Sequence, residues 1–106
     1  MTDENYKKLQ NLSLQKKREF IHKFCLYEKI RVNAKKHNDD KNPDISALEI
    51  FLTSLSEEDR LIFTENFIMQ NKDSDWYLAH WSKNHYYKKL NLIVNLFLRF
   101  LNAYSS

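Results

Sequence analysis

Residues 76–101 read WYLAHWSKNHYYKKLNLIVNLFLRFL, and the reading of this stretch decides the fold class. Tyr86, Leu90, Ile93, Val94, Phe97 and Leu101 recur at three- and four-residue intervals, the period of one helix face. Leu92, Leu96, Leu98 and Phe100 fill the flanks, so the second half of this helix is apolar nearly all round. Such a helix has to be buried on more than one side. Ser82 stands where an N-cap belongs, and a short helix is expected over 75–80, capped by Asp73 or Ser74. The first turns of the long helix differ from the rest, carrying basic, amide and aromatic side chains. From Trp76 onward there are four Lys/Arg and no Asp or Glu.

Upstream, the same periodicity continues. Ser56-Glu57-Glu58-Asp59 resembles a capping box, and the helix it opens shows a wide apolar face of Leu61, Ile62, Phe63, Phe67, Ile68 and Met69. Asn42-Pro43 suits a helix start, with Ile45, Leu48 and Leu52 on one stripe and Ala47 and Phe51 beside it. Residues 3–36 read as one long helix or two shorter ones, with Phe20, Phe24 and Tyr27 on one stripe and Ile21, Cys25 and Val32 beside it. The polar tract 36–42 reads as a linker. It divides a basic helical arm, residues 1–37, from a compact unit over 43–106.

Composition supports the same class. The 106 residues contain no Gly and one Pro, which disfavours sandwiches, barrels and phosphate-cradling loops that need positive φ or close backbone approach. The expectation is an all-α fold, a helical arm joined to a multi-helix bundle that ends in a helix-turn-helix. A single cysteine, Cys25, excludes an intramolecular disulfide and reads as a small buried hydrophobe. The start is polar, without a signal-peptide pattern, and the apolar run 90–101 is too short to span a bilayer. A cytoplasmic protein without membrane contact is expected.

The net charge of +3 conceals segregation. Residues 1–43 hold eleven Lys/Arg against six Asp/Glu, residues 44–75 two against eight, and residues 76–106 four against none. An acidic middle between two basic ends leaves one part of the surface suited to a polyanion.

A helix whose first turns carry hydrogen-bonding side chains in an acid-free segment is what a major-groove reader needs. Trp76, Leu78 and Ala79 are expected to pack a first helix against a second that Ser82 caps. Ser82, Lys83, Asn84, His85, Tyr87, Lys88 and Asn91 then form the outward, DNA-facing set, and Lys89 with the arm's lysines neutralises phosphates. The run from Ala47 to Leu101 resembles the C-terminal helix-turn-helix domain (region 4) of sigma-70-type factors, in the style of small ArpU/RinA-like phage and Firmicute transcription regulators. Leu55-Ser56-Glu57-Glu58-Asp59-Arg60 is similar to that family's "L-S/P-x-x-D/E-R" opening. Trp76-Tyr77 and Trp81-Ser82-Lys83-Asn84-His85-Tyr86-Tyr87-Lys88 are similar to its "W-Y…Y-S-x-x-T-Y-Y-R" segment. His85 and Lys88 depart from the family's Thr and Arg, and the turn lacks the usual Gly. The resemblance implies a DNA-binding transcription regulator with double-stranded DNA and RNA polymerase as partners. Ser82, Lys83, Asn84, Tyr87 and Lys88 are then at the contact, and helix 56–70 is scaffold.

The competing reading is a non-catalytic interaction module, using the apolar C-terminal helix for dimerisation or polymerase docking. Either the N-terminal helix or a second subunit is expected to cover that helix. Arg31 to His37 matches the loose R-x(4–6)-H pattern of HEPN-type ribonucleases, a pattern that any basic helix with a histidine can meet. The pairs His22/Cys25 and His80/His85 offer too few ligands for a metal, and no nucleophile–base constellation has local support. Neither cofactor nor metal nor enzymatic activity is expected.

Overall fold

The computed structural model describes residues 3–36 and 47–105, and among them every regular element is helical. The order is α1 (Asp3–Gln10), α2 (Leu14–Lys36), α3 (Ala47–Ser54), α4 (Glu57–Phe63, widening into a π-helical turn at Thr64–Ile68), a 3₁₀ turn (Trp76–Ala79) and α5 (Lys83–Ser105). The expected all-α class is thus the observed one. The helix start at Asn42-Pro43, Ile45 and the linker tract beyond Lys36 lie outside the described residues.

Side chains replace glycine at nearly every boundary. Residues 3–36 form two helices rather than one, broken where Ser13 Oγ accepts from Lys16 N–H at 3.2 Å and opens α2. Ser56 caps α4 in the same way, accepting from Asp59 N–H at 3.2 Å. Arg60 reaches back to close α3, its Nε donating to the Leu52 carbonyl at 3.0 Å and its Nη2 to the Leu55 carbonyl at 3.1 Å. A guanidinium on the last carbonyls of a helix also meets the negative end of its dipole. At the end of the π turn Gln70 takes φ 52°, the left-handed conformation usually left to glycine, and Asn71 N–H reaches the Glu65 carbonyl at 2.9 Å.

α5 is the axle. Tyr86, Leu90, Ile93, Val94, Phe97 and Leu101, its expected stripe, are all buried. Phe97 receives Phe24 of α2 edge-on at 5.5 Å, Phe51 of α3 at 4.9 Å and Phe63 of α4 at 5.2 Å. α1, α2, α3 and α4 all pack on α5, and Tyr6 and Leu9 of α1 close the remaining side. The N-terminal helices therefore share one core with the rest. Of the two covers expected for the apolar C-terminal helix, the chain's own N-terminal helices or a second subunit, the first is in place. Leu92 and Tyr104 stay exposed on α5, as does Tyr87 near its start.

Three apolar assignments shift by one helix position. On α2 the inward line is Ile21 and Cys25, while Phe20 and Phe24 sit half-buried at its edge and Tyr27 is 70% exposed. On α3 the buried pair is Ala47 and Phe51, with Leu48 and Leu52 beside it. After the π turn Met69 leaves the core and is exposed, because the extra residue in that turn rotates the next side chains about the helix axis. Lys17, 8% exposed, lies along α5 and donates from Nζ to Asn95 Oδ1 at 3.0 Å, so its stem is packed and its charge hydrogen-bonded.

Two measurements check these details. Gln70→Gly is expected to raise the unfolding free energy in urea by about 1 kcal/mol, because glycine relieves the left-handed strain. A loss instead would mean that the glutamine side chain holds the turn. Burial, helped by Glu28, pushes the Cys25 thiol up to about 12. Cys25 is therefore expected to resist DTNB at about pH 8 in the native protein and to react fully in denaturant.

Candidate nucleic-acid interface

The start of α5 is held by aromatic rings. Ser82 caps it, its Oγ accepting from His85 N–H at 3.2 Å and its carbonyl from Tyr86 N–H at 3.0 Å. Tyr77 stacks on Tyr86 with centroids 3.9 Å apart and planes 2° apart. Trp76 meets Tyr86 edge-on at 5.7 Å and Trp81 at 5.9 Å. Asn66 Nδ2 donates to the Tyr86 hydroxyl at 2.9 Å. Burial pushes the phenols of both Tyr77 and Tyr86 above the usual tyrosine range, so neither ionises near neutrality.

This clamp differs from the expected one. The element before α5 is a single 3₁₀ turn, Trp76–Ala79, rather than an α-helix over 75–80. One turn offers the core one full side chain, and that is Tyr77. Trp76 is half-buried, whereas Leu78 is 57% exposed and Ala79 is also exposed, so neither packs the turn against α5 as expected. Tyr77 and Asn66 are the positions that sequence reasoning missed. Asn66 had a signal, a polar residue four after Ile62 on an otherwise apolar face, which demands a buried partner.

All seven expected contact residues, Ser82, Lys83, Asn84, His85, Tyr87, Lys88 and Asn91, are exposed. They divide into two groups. Asn84, Lys88 and Asn91 follow one another at i, i+4 and i+7, a straight line of amide, ammonium and amide on the solvent side of α5. Lys83 stands at its start, and Tyr87 lies beside it with its ring 5.1 Å from Tyr86. His85 turns the other way, its Nε2 3.3 Å from Glu58 Oε1 of α4. Lys89, assigned to phosphates from the sequence, joins it there at 3.4 Å from Glu58 and 3.2 Å from Asp59. The acidic N-terminus of α4 thus borders the α5 surface on one flank.

Neither enzymatic nor metal chemistry gathers elsewhere among the described residues. Arg31 pairs with Glu28 at 3.0 Å, and His37 lies outside the described residues. The described residues contain no cluster of three or more His, Cys, Asp or Glu able to hold a metal ion. No described helix is long and apolar enough to cross a membrane. Comparison with protein-family models, with curated proteins and with solved structures finds no match for this chain.

The Glu58 cluster has a pH signature. The hydrogen bond from His85, ahead of the Lys89 contacts, holds the Glu58 carboxyl below its ordinary value of 4.5. A carboxylate depressed in the folded state contributes stability above its unfolded pKa and loses it as pH falls through the folded one. Glu58→Gln is therefore expected to lower Tm at about pH 7 and to leave it unchanged at about pH 2, where both chains are uncharged at this position. Equal shifts at both pH values would assign the effect to packing.

Proposed function

We propose that this chain is a DNA-binding protein of transcription regulation that offers the first two turns of α5 to the major groove. The observation that carries this reading is the line Asn84, Lys88, Asn91 on a helix whose opposite side is wholly buried. Helix rise separates its ends by roughly 10 Å, about three base steps of 3.4 Å. Asparagine pairs with adenine edges and lysine with guanine, so the line has the reach and the donor set of a reading head. Tyr77, Tyr86 and Ser82 hold that head to the core, which supports a fixed register. Lys83 and Tyr87 then reach the backbone, and His85 and Lys89 serve α4 rather than DNA. The sigma-like resemblance favours the same face and adds RNA polymerase as a partner.

One observation favours the interaction-module alternative, on a different surface from the one the sequence suggested. Leu26, Tyr27 and Ile30 are exposed along α2, beside a groove lined by Leu48, Leu52 and Ile68.

Fluorescence anisotropy with random duplex DNA across a salt series tests the proposal. Lys83→Ala with Lys88→Ala is expected to weaken binding and make the log–log salt slope shallower by about two, near 0.9 per lost phosphate contact. Asn84→Ala with Asn91→Ala should leave the slope and relax sequence preference. Affinity unchanged in the lysine double variant, with helicity intact, sinks the reading in favour of the interaction module.

A further inference from the structure

A second positively charged feature lies away from the start of α5. Gln15, Arg18, Glu19, His22 and Lys23 share one face of α2, and with Asn66 of the π turn they line an open cleft of about 410 Å³. The cleft is polar where the other surface hollows are apolar, and its cations are of two kinds. Arg18 is fixed: its Nη2 donates to Asn66 Oδ1 at 2.9 Å, and Asn66 is held in turn by the Ile62 carbonyl at 2.7 Å and the Tyr86 hydroxyl at 2.9 Å. Contact with Asn66 engages one nitrogen of the guanidinium, leaving most of its five N–H donors available. Lys23 is exposed and is bonded to no other described side chain. The one acid, Glu19, is paired with Lys16 at 3.5 Å.

We infer that this cleft is a binding site for a phosphate group. A fixed guanidinium beside a mobile ammonium is the donor pair that phosphate recognition uses, the first for geometry and the second for charge. The His22 ring and the Gln15 amide bring further donors, more than the two oxygens of a carboxylate engage and suited to the three terminal oxygens of a phosphoryl group. The π turn has a part in this. It sets Asn66 toward α2 and α5 at once while Phe63 and Phe67 stay in the core, so the anchor of Arg18 is built into the backbone. The phosphate can belong to a small ligand or to a nucleic-acid backbone. The site does not depend on the reading of α5, whose basic residues lie on another element.

NMR of ¹⁵N-labelled protein decides it, with inorganic phosphate titrated against chloride at constant ionic strength. Saturable shifts confined to the amides of residues 15–23 and the Asn66 side chain are expected. His22→Gln with Lys23→Met, both outside the core, should keep the native spectrum and weaken phosphate at least about tenfold, the loss of one charge-assisted hydrogen bond or more. A short duplex is the second arm. Shifts of the same residues by the duplex assign the phosphate to a nucleic-acid backbone, and shifts by free phosphate alone assign it to a small ligand. Unsaturable or dispersed shifts with both probes, or unchanged affinity in the double variant, overturn the site. Loss of duplex binding in Lys83→Ala with Lys88→Ala leaves it untouched.

Discussion

Three phenylalanines from three helices converge on the ring of Phe97, and the fold depends on that convergence. Phe24, Phe51 and Phe63 approach it at 4.9–5.5 Å, two of them edge-on and one tilted, the geometry that aligns ring edges with ring faces. α2, α3 and α4 are thereby fixed around one point on α5 instead of sliding along it. α3 and α4 are only eight and seven residues long, too short to persist alone, and exist because this contact holds them. The chain has no glycine with which to make sharp turns, so its short helices are closed by Arg60, Ser56 and a strained Gln70 instead.

The convergence also accounts for the division of labour along α5. Around Phe97 the helix is enclosed on most sides, and toward Lys83 only the Tyr86 side is covered. The part left open there is a polar line backed by a stacked pair of tyrosines. Asn66 ties this end to α2 through Arg18, so the two polar surfaces of the molecule share one hydrogen-bonded support. Exposed side chains on a rigid backing keep their spacing when a ligand arrives, which lowers the ordering cost of binding.

Much of this is legible in the residues. The α5 stripe can be read to its last position because periodicity sustained over a long helix leaves little choice. The exposure of the seven candidate contact residues is a corollary of the same stripe. The short elements are less legible. Over eight residues, a one-position shift of the buried face costs little in the pattern, and α3 buries Ala47 and Phe51 where Leu48 and Leu52 fit the period as well. The 3₁₀ turn escapes because four residues show no period, and Met69 escapes because a π turn breaks the 3.6-residue count. The pairing of His85 and Lys89 with α4 joins residues some thirty positions apart, which no local pattern announces.

Glu58 and Asp59, beside α5, have a consequence for how anything charged comes near. Their carboxylates stand on one flank of the exposed line, while the other flank carries none from the same helix. At physiological ionic strength such charges act over about 8 Å, a distance comparable to the line itself. A polyanion diffusing in from the α4 side is turned away before contact, and one arriving from the opposite side is not. The encounter surface is therefore one-handed: the molecule selects the direction of approach before any side chain selects a ligand.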